Sequence, residues 1–368
     1  MKSNINVAVT GYFGTGSSAV VDLLKEYENV RIVPFENQSY EHNVLYHHGG
    51  LYDVCALLSR GNTLYTSDKV ISTFIKEMKR LNDYNYVWFG SYKRMFGTKF
   101  MDLVNEFVAE IAEKREDKTT NHIIKTRFSL TKAIAQVILR ITKKRKFSNY
   151  GVKYIYDKEN SFCALPNEEQ LYNAAKKFTS GYFSMFDKKI ENEVKIFDHI
   201  IWPGQIDDYQ DCFDENFKMI IVDRDPRDLY ILDQHIWSTN ALRKSKTHFP
   251  SDISSFSKEW NKTLVEKFNN HNAMRVHFED LIYDYENTVR RIEKFLGLKE
   301  EQHVSIKQYF IPEKSIENTQ VFRVYEEWQE EAKKIENLIP NLLYKFPYDR
   351  KPQRDKMFAD DSMGKIKI

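Results

Sequence analysis

Gly11, Gly14 and Gly16 alternate with Tyr12, Phe13 and Thr15 and run directly into Ser17 and Ser18. Small residues let a backbone come close to an anion, and the hydroxyls add donors. The apolar run from Ile5 to Val9 upstream reads as a buried strand. From Ser17 onward Val20, Val21, Leu23 and Leu24 recur at helical spacing. A strand, a glycine turn and a helix start aim free N–H groups and a helix dipole at negative charge. The chemistry expected is phosphate binding; the plain alternative is a tight turn with no ligand.

The spacing Gly11-x-x-x-x-Gly16-Ser17-Ser18 resembles the ATP-binding P-loop, with Ser17 where its lysine belongs. Without that charge on the β/γ-phosphates, ordinary ATP chemistry is disfavoured. A second cluster follows the apolar run from Phe217 to Val222: Asp223-Arg224-Asp225-Pro226-Arg227-Asp228. Pro226 is pre-set for the first turn of a helix. Arg224, at the strand's end, can grip a phosphate with two N–H groups. The competing reading of Arg224 is an ion pair with Asp225 or Asp228, and Arg227 is expected as a surface charge. Glu36 closes a short strand over Val30 to Val33, where open α/β sheets keep their chemistry, and is a candidate general base. A solvated loop glutamate is the competing reading. His42, His47 and His48 lack the spacing that puts two ligands on one helix face, so no metal is expected.

The elements that must position these groups alternate between sheet and helix at both ends of the chain. Strands are expected over 195–201, 217–222 and 274–278. Helices are expected over 226–238, which carries His235, over 251–269 with Ser251 as cap, and over 324–338. Gly297 suits a helix C-terminus. Residues 311–319 read as a polar loop. Between the two ends, 51–192 is mainly helical, with apolar spacing over 70–81, 100–111 and 130–141, the last ending in the basic run Lys143 to Lys146. The expected organisation is one domain over 1–348, with 51–192 a helical insertion shaping an acceptor cleft, and a polar, mobile tail over 349–368.

Composition excludes several classes. At 368 residues, with 42% hydrophobic and 29% charged, the chain is that of a soluble globular protein. A formal charge of +2 is too small for nucleic-acid binding by bulk attraction. Cys55, Cys163 and Cys212 form no Cys-x-x-Cys pair, so neither a disulfide framework nor a zinc site is indicated. The sequence enters its first strand at once and holds no apolar run of membrane-spanning length, so a cytoplasmic protein without a transmembrane segment is expected.

Taken together, the segments resemble the sulfotransferases that use 3′-phosphoadenosine 5′-phosphosulfate (PAPS). Gly11, Tyr12, Phe13, Gly14, Thr15, Gly16, Ser17 and Ser18 look like the family's 5′-phosphosulfate loop. The strand, turn and helix over 220–229 look like its 3′-phosphate site, with Arg224 as anchor. Met274 to Leu298 is similar to its structural strand, Glu-Asp-Leu and Phe-Leu-Gly-Leu stretch. Lys314, Ser315 and Asn318 lie in a stretch that resembles the late loop closing over the nucleotide. The resemblance implies an α/β fold, a P-loop-like core with a central parallel sheet flanked by helices. It also implies sulfuryl transfer from PAPS to a hydroxyl or amine, without a metal. In the heparan sulfate-type branch a catalytic glutamate follows the loop at about the distance of Glu36. His235 is the rival base, although the histidine-using branch keeps its base before the arginine strand.

Two positions depart from the family. Gly14 stands where Lys or Arg usually bridges to the transferred group, and Leu232 where a Ser usually lies. Lys93, Lys125 or Arg127 could supply the missing charge, and Ser238, Ser315 or Asn318 the missing hydrogen bond. Two other readings remain at this stage: a P-loop-type kinase, with Asp223 holding magnesium, and a nucleotide-binding module without catalysis. By analogy, the acceptor expected is a carbohydrate or glycolipid.

Overall fold

The computed structural model describes residues 4–33, 43–60, 62–83, 92–115, 134, 137, 141, 161–188, 190–237, 248–265 and 271–358. Glu36, Lys125, Arg127, Ser238, the basic run 143–146 and most of the helix expected over 130–141 lie outside them. The chain divides into two compact units, one of 1–41, 188–210 and 215–368, the other of 42–187 and 211–214.

In the first unit five parallel strands are β1 (Ile5–Gly11), β2 (Val30–Val33), β3 (Val194–Asp198), β4 (Phe217–Asp223) and β5 (Ala273–His277). Their order across the sheet is β2-β3-β1-β4-β5. Ile5 stands opposite Val194 and Asn6 opposite Phe217. The strands are apolar runs without alternation because helices cover both faces of a parallel sheet. After β1 the chain passes through α1 (Ser17–Leu24) to β2 on one side, while β4 lies on the other. The sheet therefore reverses direction between β1 and β4, and a crevice opens beyond their carboxyl ends. Both the glycine loop and the Arg224 turn begin there.

Val7, Val9, Val20, Leu23, Ile196, Ile220 and Phe278 form one buried core, to which α4 (Tyr285–Leu296) adds Val289 and Ile292. A second core joins α2 (Pro226–Ile231), α3 (Ile253–Val265) and α5 (Glu326–Leu338) through Leu229, Leu232, Phe256, Trp260, Trp328 and Ile335. Leu232, where the family keeps a serine, is thus a core residue. Buried Glu26 accepts amide hydrogen bonds from Lys307, Tyr309 and Phe310, each at 3.0 Å, and lies 2.7 Å from His303 Nε2.

The second unit packs helices Leu51–Ser59, Leu64–Asp83, Lys99–Ile111 and Glu168–Ser184 around Phe74, Phe100, Phe107 and Phe178. Strands Glu113–Arg115 and Ser161–Cys163 pair antiparallel beside them. No helix among the described residues is long and apolar enough to cross a membrane.

Four local expectations are corrected. The helix expected over 226–238 is α-helical only to Ile231 and continues as a π-turn over Leu232–Trp237. The cap of α3 is Asp252, whose carboxylate accepts from the Ser255 amide at 2.8 Å, and not Ser251. The loop expected over 311–319 coils into short helical turns, Pro312–Ser315 and Ile316–Asn318. The tail is docked through Phe358: Glu317 pairs with Arg350 at 2.5 Å and accepts the Gln353 amide at 2.7 Å, and Met357 is buried.

Candidate nucleotide and transfer site

Five residues separate β1 from α1, and reversing the chain in so short a span needs left-handed backbone. Gly14 and Gly16 provide it, with φ of +81° and +87°. At Gly11 the demand is room, since a Cβ would strike the Thr15 hydroxyl and the Val222 carbonyl. Buried Thr15 ties the turn: its hydroxyl and its amide both donate to the Tyr12 carbonyl, at 2.9 and 3.1 Å. Gly16 lets Phe278 pack against the loop, 2.8 Å from where a Cβ would stand. The first-turn amides of α1 have no carbonyl four residues back. Half-buried Ser17 and exposed Ser18 add their hydroxyls beside those amides. The result is an anion cradle at the sheet's switch point.

Gly14 differs from a merely small residue. A Cβ there would overlap Cζ3 and Cη2 of Trp237, at the end of the π-turn. The position where the family carries its cation is filled by an indole from another element. Trp237 also meets Phe13 edge to face, with ring centroids 5.1 Å apart.

Arg224 leaves the end of β4 and is buried. Its guanidinium lies 4.7 Å from the Phe278 ring centroid; Nη1 donates to the Gly14 carbonyl at 3.1 Å, and Nη2 donates to the Asn318 carbonyl. One side chain so clips the glycine loop to the late segment. Its Nε is buried with no hydrogen-bond partner among the described residues, a donor left for an anion. Burial pulls the guanidinium pKa down, and the charges of Asp228, Glu279 and Asp225 oppose this.

The competing reading of Arg224, an ion pair with Asp225, does not form, because Asp225 is taken by Arg227. Asp225 caps α2 through the Arg227 amide at 2.9 Å, and its two oxygens accept from Arg227 Nε and Nη2 at 3.0 and 2.8 Å. Arg227 is therefore a buried structural cation, 4.6 Å from the Phe322 ring centroid, and not the surface charge expected. Asp228 accepts the amides of Gln320 and Phe322, at 2.6 and 3.2 Å, fixing the late segment to α2. In that segment Lys314 is exposed and Ser315 half-buried. Asn318 offers Arg224 its carbonyl, while its Oδ1 accepts the Phe358 amide at 2.8 Å.

Of the two bases expected, Glu36 lies outside the described residues. His235 Nε2 sits 2.6 Å from Glu331 of α5, and its ring stacks on Trp328 at 5.5 Å. Packing with α5 thus takes up the imidazole. Lys93 is exposed on a helix of the second unit. Among the described residues no group of three His, Cys, Asp or Glu side chains is arranged to hold a metal.

Two histidines that sequence reasoning passed over lie near the loop. His199 follows β3, the strand beside β1, and its amide donates to the Val9 carbonyl at 3.0 Å. Its φ is +51°, an uncommon backbone for a non-glycine residue. Nδ1 lies 2.7 Å from Asp198 Oδ1, and exposed Trp202 meets the ring at 6.3 Å. The position just beyond a strand's carboxyl end, which singled out Glu36, could have found it. His248 stacks on Phe13 with ring centroids 3.3 Å apart. Nothing in the spacing pointed to it.

Residues 208–337 match the family model described as the sulfotransferase domain. No curated protein sequence matches the chain. Among solved structures, the sulfotransferase STF9 from Mycobacterium avium aligns over 96% of this chain and 79% of its own, at 10% identity and a TM-score of 0.36. A retinol dehydratase in complex with androsterone and the inactive cofactor PAP aligns over 93% and 82%, at 13% identity and a TM-score of 0.29. Likenesses this distant carry no argument about this chain. The matched stretch, by contrast, contains β4, Arg224, α2 and the Asp228-anchored late segment, so residues 208–337 of this chain are similar to a sulfotransferase domain.

Proposed function

We propose that this protein moves the sulfuryl group of PAPS to a hydroxyl of a carbohydrate acceptor, with His199 as the proton acceptor. The observation that carries the reading is the position of His199 beyond β3, one strand from the phosphate loop, with Nδ1 2.7 Å from the Asp198 carboxylate. Exposed Trp202 beside His199 offers an apolar face to a sugar ring. The buried Oε1 of Gln205 has no partner among the described residues and suits a second hydroxyl.

The residues present fit the donor at both ends. The N–H groups of Gly14, Gly16, Ser17 and Ser18 and the hydroxyls of Ser17 and Ser18 suit the phosphosulfate, and the unpaired Nε of Arg224 suits the 3′-phosphate. Lys314, Ser315 and Asn318 border the nucleotide in this reading, with Asn318 acting through its carbonyl on Arg224. PAPS supplies the activated sulfuryl group. The protein's part is to hold donor and acceptor in line and to take the acceptor's proton.

Calorimetric titration with 3′-phosphoadenosine 5′-phosphate and a sulfation assay over a panel of saccharides test this. We expect His199→Gln to lower kcat about 100-fold or more, in line with loss of a general base, with nucleotide affinity kept. Glu36→Gln, assayed in parallel, is expected to keep most of the activity. Loss of turnover in Glu36→Gln with His199→Gln active would give the base to Glu36. Sulfation of phenols or steroids but of no saccharide would overturn the acceptor class.

A further inference from the structure

The glycine loop carries no cation of its own, and Trp237 fills the room in which one would stand at Gly14. An anion cradle of amides and hydroxyls leaves the charge that builds on the departing phosphate without a charged donor. The structure brings one to the loop from elsewhere in the same unit. His248 lies flat on Phe13, the residue before Gly14, with ring planes 9° apart. Its position is held by Asp233, a fully buried carboxylate in the π-turn that also delivers Trp237. Asp233 accepts the amide of His248 at 2.9 Å, the amide of Phe249 at 3.0 Å and the Gln234 side chain at 3.1 Å. His248 Nδ1 lies 3.3 Å from the same carboxylate. Among the described residues none hydrogen-bonds its Nε2, and the side chain is 41% exposed.

We propose that His248, oriented by Asp233 and stacked on Phe13, is the donor that takes the place of the missing loop cation and hydrogen-bonds the 5′-phosphate of the nucleotide. This rests on the PAPS reading of the loop. Asp233 is a positioning residue: it accepts Nδ1–H and turns Nε2 outward, where the imidazolium form of His248 presents Nε2–H as the donor. In the transfer the acceptor oxygen bonds to sulfur as the bond from sulfur to the bridging phosphate oxygen breaks. The bond's electron pair stays on that phosphate, and the acceptor's proton goes to the base. His248 keeps its proton and stabilises the phosphate charge through the hydrogen bond.

The test compares two nucleotides in calorimetry, 3′-phosphoadenosine 5′-phosphate and adenosine 3′-phosphate, which lacks the 5′-phosphate. His248→Phe keeps the stack on Phe13 and removes the donor. We expect it to weaken the bisphosphate about 10- to 100-fold, the range of one charge-assisted hydrogen bond, and to leave adenosine 3′-phosphate unchanged. Asp233→Asn is expected to weaken the bisphosphate in the same selective way. Equal weakening of both nucleotides, or of neither, in His248→Phe would overturn the proposal and make His248 a packing residue. His248→Gln, which retains a side-chain N–H, is expected to fall between wild type and His248→Phe; weaker binding than in His248→Phe would also count against it. Wild-type protein that binds neither nucleotide would instead remove the PAPS reading on which the proposal stands.

Discussion

Arg224 and Arg227 lie three residues apart, and three buried carboxylates, Asp225, Asp228 and Glu279, decide what each does. Arg227 is closed on Asp225, whereas Arg224 keeps Nε for a ligand. The carboxylates are held where water cannot solvate them. Burial pushes the pKa of Glu279 up to about 8, the charge of Asp225 pushes the same way, and Arg224 opposes both. Burial also pushes Asp228 upward. For Glu279 the unfolded chain titrates near 4.5 and the folded chain near 8. Between those values the folded state binds more protons than the unfolded state, so stability falls as pH rises. Its contribution is complete below about pH 4.5 and lost once pH passes 8. Thermal unfolding from pH 5 to 8.5 is expected to show the wild-type melting temperature declining more steeply than that of Glu279→Gln, which has no proton to lose. Parallel curves would mean Glu279 is already ionised in the folded protein.

At the scale of elements, the site is a set of clips between segments distant in the chain. The loop after β1 is gripped by Arg224 after β4, by Trp237 and by His248, while Asp228 on α2 holds the late segment. Gly14 is where most of these constraints meet, with left-handed backbone, an indole against its Cα and its carbonyl on Arg224. Gly14→Ala is expected to cost about 2–4 kcal/mol, from αL strain together with overpacking. Chemical denaturation measures it. Gly14→Lys would restore the family's residue type and is subject to the same clash. A cost under about 0.5 kcal/mol in Gly14→Ala would mean that the indole moves aside freely.

At the scale of the molecule, two units divide one chain, and the segment 211–214 returns to the second unit just before β4. It carries Cys212, whose sulfur lies 3.7 Å from that of Cys55 in the buried interior of the second unit. Four of the five tryptophans, Trp202, Trp237, Trp260 and Trp328, belong to the first unit. Tryptophan fluorescence therefore reports mainly on that unit, and far-ultraviolet circular dichroism on both. In urea the two signals are expected to give different midpoints, as separate cores do. Coincident transitions would show that the units unfold as one.

The sequence by itself determined the sheet and the loop. Strand-length apolar runs, a glycine turn and a helix start are local signals, and β2, β4 and α1 begin where those signals put them. The turn at Pro226 and the cap at Gly297 were legible for the same reason, since one residue's backbone preference sets each. Only the tertiary structure decided which charges meet. Arg227 was taken for a surface residue because its cover, Phe322 and Phe346, comes from about a hundred residues away. Still longer separations hid the Trp237 indole that fills the place at Gly14 and the stacking of Asp233-held His248 on Phe13. Spacing along a chain records period and propensity; packing brings together groups that share neither, and the chemistry of this site depends on that packing.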